Sequence, residues 1–107
     1  PYTTLFRSAL VEAAHRLATL LSDWTDRAAS ELFADNVALD ESFARRARQA
    51  GELLSSHGIL AVEEVVAETP MRGRATTRHA DGTVRHIDLQ LSPQVPPRLQ
   101  LYEVVDG

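Results

Sequence analysis

Residues 71–92 read MRGRATTRHADGTVRHIDLQLS, and the way this stretch folds back on itself decides the architecture. Apolar and polar residues alternate on both sides of Ala80-Asp81-Gly82, which predicts two strands, 71–79 and 83–92, joined by a tight turn. Two registers compete. A two-residue Asp-Gly loop pairs Ala80 with Thr83 and sets Arg72 and Arg74 beside Leu91 and Leu89 on the buried face. A three-residue loop, with Gly82 as the left-handed residue, pairs His79 with Thr83 instead. Met71, Gly73 and Ala75 then share a face with Leu91, Leu89 and Ile87, and Arg74 falls opposite Asp88 on the other face. A slip of one residue would bury the arginines, so the second register is the expected one.

Working outward, residues 60–69 form a further period-two run, ended by Pro70. Downstream, residues 93–97 are a Pro-rich connection and 98–105 a last strand. Upstream the period changes to that of a helix. Leu10, Ala14, Leu17, Leu21 and Trp24 step by four, three, four and three, one face of an amphipathic helix. Ser22 and Asp23 offer cap oxygens for a second short helix, or mark a bend in the same one; its continuation buries Ala28, Leu32 and Phe33 and ends at Asp35-Asn36. Val37-Ala38-Leu39 reads as a short extended piece. Asp40 is the expected N-cap of a longer helix, with Glu41 in its first turn, Phe43, Ala47, Ala50 and Leu54 as its core stripe, and His57-Gly58 as its end. Glu41 with Arg45, and Arg48 with Glu52, are pairs on its wet side. The expected fold class is therefore α+β, with N-terminal helices packed on a curved antiparallel four-stranded sheet.

Composition narrows the chemistry. The chain has 107 residues, one domain's worth, with 44% apolar residues and no Cys, which excludes disulfides, thiolate catalysis and Cys-based zinc sites. Its eleven basic residues are all Arg, and Ala occurs fifteen times, the usage a GC-rich genome tends to encode. Without Lys there is no Schiff-base lysine, no Walker A lysine and no Ser-x-x-Lys nucleophile. A net charge of −4 argues against general phosphate-backbone binding, and thus against nucleic acid as a partner. No apolar run approaches the ~18 residues of a membrane span, and no signal-peptide order is seen. There is no Gly-x-Ser-x-Gly elbow and no Gly-rich phosphate loop.

Residues 1–8, PYTTLFRS, match codon for codon the conceptual translation of a common sequencing adaptor. They are expected to be an artefact, excluded from fold reasoning. Residues 9–107 are then expected to be one native domain of net charge −5, the C-terminal fragment of a longer protein.

The segment Glu31-Leu32-Phe33-Ala34-Asp35-Asn36-Val37, followed by a short strand and a helix, resembles an early landmark of the NTF2-like, or SnoaL-like, cone fold. The string LFADNVALDESFARR at 32–46, the helix ending in His57-Gly58, the hairpin and Pro-Pro-Arg-Leu-Gln at 96–100 together resemble the small accessory domains of bacterial beta-lactamase-like serine hydrolases. That resemblance implies a non-catalytic domain that packs on, or shapes access to, the catalytic domain of the same parent chain. The Ser-x-x-Lys signature of those hydrolases has no counterpart here. The alternatives are a stand-alone NTF2-like protein that binds a small apolar molecule or acts as an isomerase or cyclase, and a homodimer formed through the sheet.

Five residues stand out as partner or pocket candidates. Arg72, Arg74 and Arg78 line one strand face, either as an anion- or partner-binding strip or as a solvated face with Arg74 paired to Asp88 and the strip neutralised by Glu63, Glu64 and Glu68. Trp24, at a helix junction, reads as a core or pocket-rim anchor. Tyr102, with Val104, reads as an apolar rim where a parent domain docks. His79 and His86 lie on opposite faces of the hairpin as exposed residues and cannot share an ion. His15 and His57 sit on separate helices, and His57 reads as a helix-end cation. Asp40 and His57 lie at opposite ends of one helix, too far apart for an acid–base pair. No catalytic residue, metal ligand or cofactor site is expected.

Overall fold

The computed structural model describes residues 2–106, with side chains described for 8–105; the adaptor-like stretch 1–8 therefore lies, but for Ser8, outside the residues whose side chains are described. Four helices precede four strands: α1 (Tyr2–Ser22), α2 (Asp26–Leu32), α3 (Asn36–Asp40), α4 (Phe43–His57), β1 (Leu60–Thr69), β2 (Arg72–His79), β3 (Val84–Leu91) and β4 (Leu99–Asp106). The strands form one antiparallel meander, β1-β2-β3-β4. The fold class is α+β, as the change of period at residue 59 implies.

The hairpin adopts the three-residue register. Gly73 pairs with Leu89, Arg74 with Asp88 and Ala75 with Ile87. The His79 N–H donates to the Thr83 carbonyl at 2.8 Å, and Gly82 takes φ +92°. The inward faces of β2 and β3 are buried: Gly73, Ala75, Thr77 and His79 on one, Ile87, Leu89 and Leu91 on the other. They meet α1, whose buried side is broad: Leu10, Ala13, Ala14, Leu17, Ala18, Leu20 and Leu21.

β1 has no uniformly apolar face under strict alternation. Its pairing with β2 shifts between Val62 and Glu64, one extra residue that leaves Glu63 and Glu64 together on the outer side. Leu60 pairs opposite His79, Val62 opposite Thr77 and Val65 opposite Ala75, so these three residues join the core face, while Val66 stays exposed on the outer side.

The helix boundaries differ from the sequence expectation at three places. Thr25, not Ser22 or Asp23, caps α2: its Oγ1 accepts from the Ala28 N–H at 3.1 Å. Ser22 closes α1, donating to the Ala18 carbonyl and accepting from the Leu60 N–H, which ties the helix end to the first strand. The 37–39 segment is part of a short helix rather than a strand. Val37 must turn inward, where it is buried, and the extended contact falls earlier, at Phe33, which bridges Leu99 in parallel while the Ala34 N–H donates to the Leu99 carbonyl. The N-cap of α4 is Ser42, whose Oγ accepts from the Arg45 N–H at 3.2 Å; Asp40 ends α3 instead. The Glu41–Arg45 pair forms at 3.1 Å. Of the expected stripe on α4, Ala50 is fully buried, while Phe43, Ala47 and Leu54 are half-buried.

Candidate functional site

Inside the layer of helices and sheet, an aromatic cluster fills the space between α2, α4 and β4. Phe33 extends from the end of α2 and is buried; Tyr102 points inward from β4, opposite Leu89. Their rings stack with centroids 5.5 Å apart and planes 6° apart. Phe43, in the first turn of α4, and Trp24, in the α1–α2 connection, complete the group, with centroid separations of 6.0–6.1 Å between Trp24, Phe33 and Phe43. Contacts of this geometry add to the area they bury. The Trp24 indole N–H donates to Asp26 Oδ1 at 3.0 Å, so its polar edge is satisfied toward solvent.

Arg46 closes the cluster. Its side chain is only 11% exposed, and its guanidinium lies 5.1 Å from the centre of the Tyr102 ring. Its Nε donates to the Glu41 carbonyl at 3.1 Å, and a terminal nitrogen donates to the Val37 carbonyl at 3.3 Å. The Glu41 carbonyl at the end of α3 thereby gains a partner, and the Val37 carbonyl, which already accepts from the Glu41 N–H, gains another. Burial pushes the Tyr102 hydroxyl above its ordinary pKa, partly opposed by hydrogen bonding to Arg46. Arg46 is a member of this cluster that sequence reasoning missed. It is one helical turn from Phe43 and four residues before Ala50, on the inward stripe, and that spacing is the signal that marks it.

Tyr102 and Val104 face the helices, opposite the core residues Leu89 and Ile87, so they do not form an outward rim. Leu101, 52% exposed, is an apolar residue of β4 that faces solvent, and Val66 on β1 is 53% exposed on the same outer face of the sheet.

That outer face carries Arg72, Arg74 and Arg78 in line on β2. Each guanidinium has a partner. Arg74 holds Asp88 through two hydrogen bonds, 2.6 and 3.1 Å. Arg78 donates to Glu63 Oε2 at 3.0 Å and to the Gly82 carbonyl, and Arg72 donates to Gln90 Oε1 at 2.9 Å. The Arg74 contact holds the Asp88 carboxyl below its usual range and raises the guanidinium pKa in turn. The strip is thus two cross-strand charge pairs and one arginine–amide hydrogen bond, the pairs screened by solvent and salt.

A second polar group forms where α4 ends on the β2–β3 turn. His57 Nδ1 lies 2.7 Å from Asp81 Oδ2. The Asp81 carboxyl is pulled well below the usual carboxylate range, first by the Thr83 backbone N–H and then by His57. His79 is 3% exposed, not an exposed strand residue, because its side chain turns under the end of α4, where Nδ1 lies 2.8 Å from the Gly58 carbonyl. The two imidazoles are 5.2 Å apart, centre to centre. The structure brings together these two histidines, and not the pair His79 and His86. Hollows also open on the helical side, one of about 300 Å³ between α1 and α2, lined by His15, Arg16, Leu20 and Leu32 among others.

No family model, curated protein or solved structure matches the chain.

Proposed function

We propose that the chain is a non-catalytic interaction domain, the accessory domain of a beta-lactamase-like serine hydrolase, which packs on the catalytic domain of its parent chain or shapes access to it. The observation that carries this reading is the filled interior. In an NTF2-like cone a ligand would sit between the long helix and the sheet. Here that space holds Phe33, Phe43, Trp24, Tyr102 and the buried guanidinium of Arg46, which already has the hydrogen bonds and the aromatic face it needs. A stand-alone binding protein or isomerase would have to expel this group before it could admit a substrate. The outer face of the sheet, with Val66 and Leu101 set among paired charges, is the surface offered to a partner domain.

Assay of the purified chain on a chromogenic ester and a chromogenic cephalosporin tests the reading. Turnover no faster than the uncatalysed background is expected. Saturable hydrolysis by this chain would overturn the non-catalytic assignment.

A further inference from the structure

The junction of α4 with the β2–β3 turn holds two imidazoles whose Nδ1 atoms are both committed. The Asp81 carboxylate can only accept, so the His57 Nδ1 that lies 2.7 Å from it is the N–H donor. The Gly58 carbonyl also only accepts, so His79 Nδ1 is a donor as well. In the neutral rings the lone pairs are therefore on the two Nε2 atoms. For His79 that atom is buried and has no hydrogen-bond partner, a costly state for a polar atom. An imidazole that gives its Nδ1–H to a carboxylate or a backbone carbonyl and keeps Nε2 as a bare donor is the arrangement seen around metal-ligating histidines. Two imidazoles sharing one tetrahedral ion, with each Nε2 about 2.0–2.1 Å from it, hold their ring centres roughly 5 Å apart. The observed separation is 5.2 Å.

We propose that His57 and His79 form a binding site for a divalent transition metal that favours imidazole, zinc or nickel, coordinated through their Nε2 atoms. Asp81 and the Gly58 carbonyl orient the rings from behind. The His57 side chain is 29% exposed and gives the ion its way in from solvent. Among the described residues no third His, Asp or Glu completes a ligand cluster, so water or an outside donor fills the remaining positions. The hard ions magnesium and calcium are excluded by the all-nitrogen donor pair. The site does not depend on the interaction-domain reading, because it involves neither the aromatic interior nor the outer face of the sheet.

The test is calorimetric titration of the full, tag-free chain with zinc chloride, and separately with nickel and magnesium chloride. One zinc or nickel per chain and no magnesium binding are expected. His57→Gln, a change at a half-exposed position, should abolish the zinc isotherm while the circular dichroism spectrum stays native. His79→Gln should do the same if it folds; His57→Gln decides the matter if it does not. Asp81→Asn should weaken binding by about 10- to 100-fold, as loss of an orienting partner does. His15→Gln and His86→Gln should bind like the parent. A parent chain with no saturable zinc binding, or a folded His57→Gln variant that binds as the parent does, would overturn the proposal.

Discussion

Gly58 carries two constraints at once. Its φ of +89° is left-handed, and a Cβ built on it would lie 2.8 Å from the Cβ of Ala80. The residue therefore lets α4 stop and lets its end rest on the hairpin turn, where the Asp81 N–H donates to the His57 carbonyl and the Ala80 N–H to the Ile59 carbonyl. Gly58→Ala should lower stability by more than about 1 kcal/mol. Adding Ala80→Gly should recover the steric part but not the backbone part; urea unfolding of the two variants separates them. Asp81 makes a pH-dependent contribution at the same junction. Its folded pKa is depressed, so the stability it adds is present above the ordinary carboxylate range and is lost as pH falls through that range toward the folded value. Asp81→Asn should therefore be less stable than the parent at pH 7, with the gap narrowing below about pH 4. Equal gaps at pH 7 and pH 3 would contradict this. Gly58 as a helix terminator is legible in the sequence, since Gly follows the last helical turn. Its partner Ala80 is not, because the meeting of α4 with the turn is a tertiary contact with no local pattern.

Among the elements, the β2–β3 hairpin is the one most fully determined by its own residues. Only one register keeps Arg72 and Arg74 out of the core, and that register forms. β1 shows the opposite case. Its Glu63-Glu64 irregularity has no signature in alternation and follows from pairing with β2, which needs Val62 and Val65 both facing inward. The 37–39 segment fails for a related reason: three apolar residues fit a strand or a helical turn equally, and burial of Val37 with capping of its carbonyl by Arg46 selects the turn. The candidate residues divide the same way. Trp24 packs against Phe33 and Phe43 near it at the helix junction, whereas the contact of Arg46 with Tyr102 joins residues 56 apart in the chain. Phe33 holds α2, α4 and β4 together. Phe33→Ala should cost about 3–5 kcal/mol, and Trp24 emission should shift in the folded state because its ring lies 6.1 Å from that of Phe33. By contrast, Arg74→Ala breaks only an exposed pair and should leave the urea midpoint close to that of the parent.

Among the described residues the interior is filled with side chains, and most ion pairs lie at the periphery, with Arg46 and His79 as buried polar exceptions. The net charge is −4, and the outer sheet face pairs Arg74 with Asp88 and Arg78 with Glu63, beside two separated exposed apolar residues, Val66 and Leu101. No helix among the described residues is long and apolar enough to cross a membrane. We propose that this domain acts by packing on a catalytic domain of its parent chain that carries the nucleophile. The measurement that tests it most directly is the DNA sequence on the 5′ side of the codon for Ala9, read from the source genome. The expected result is an open frame that continues upstream into a domain bearing Ser-x-x-Lys. A start codon a few codons before Ala9, or an upstream frame without that motif, would contradict it.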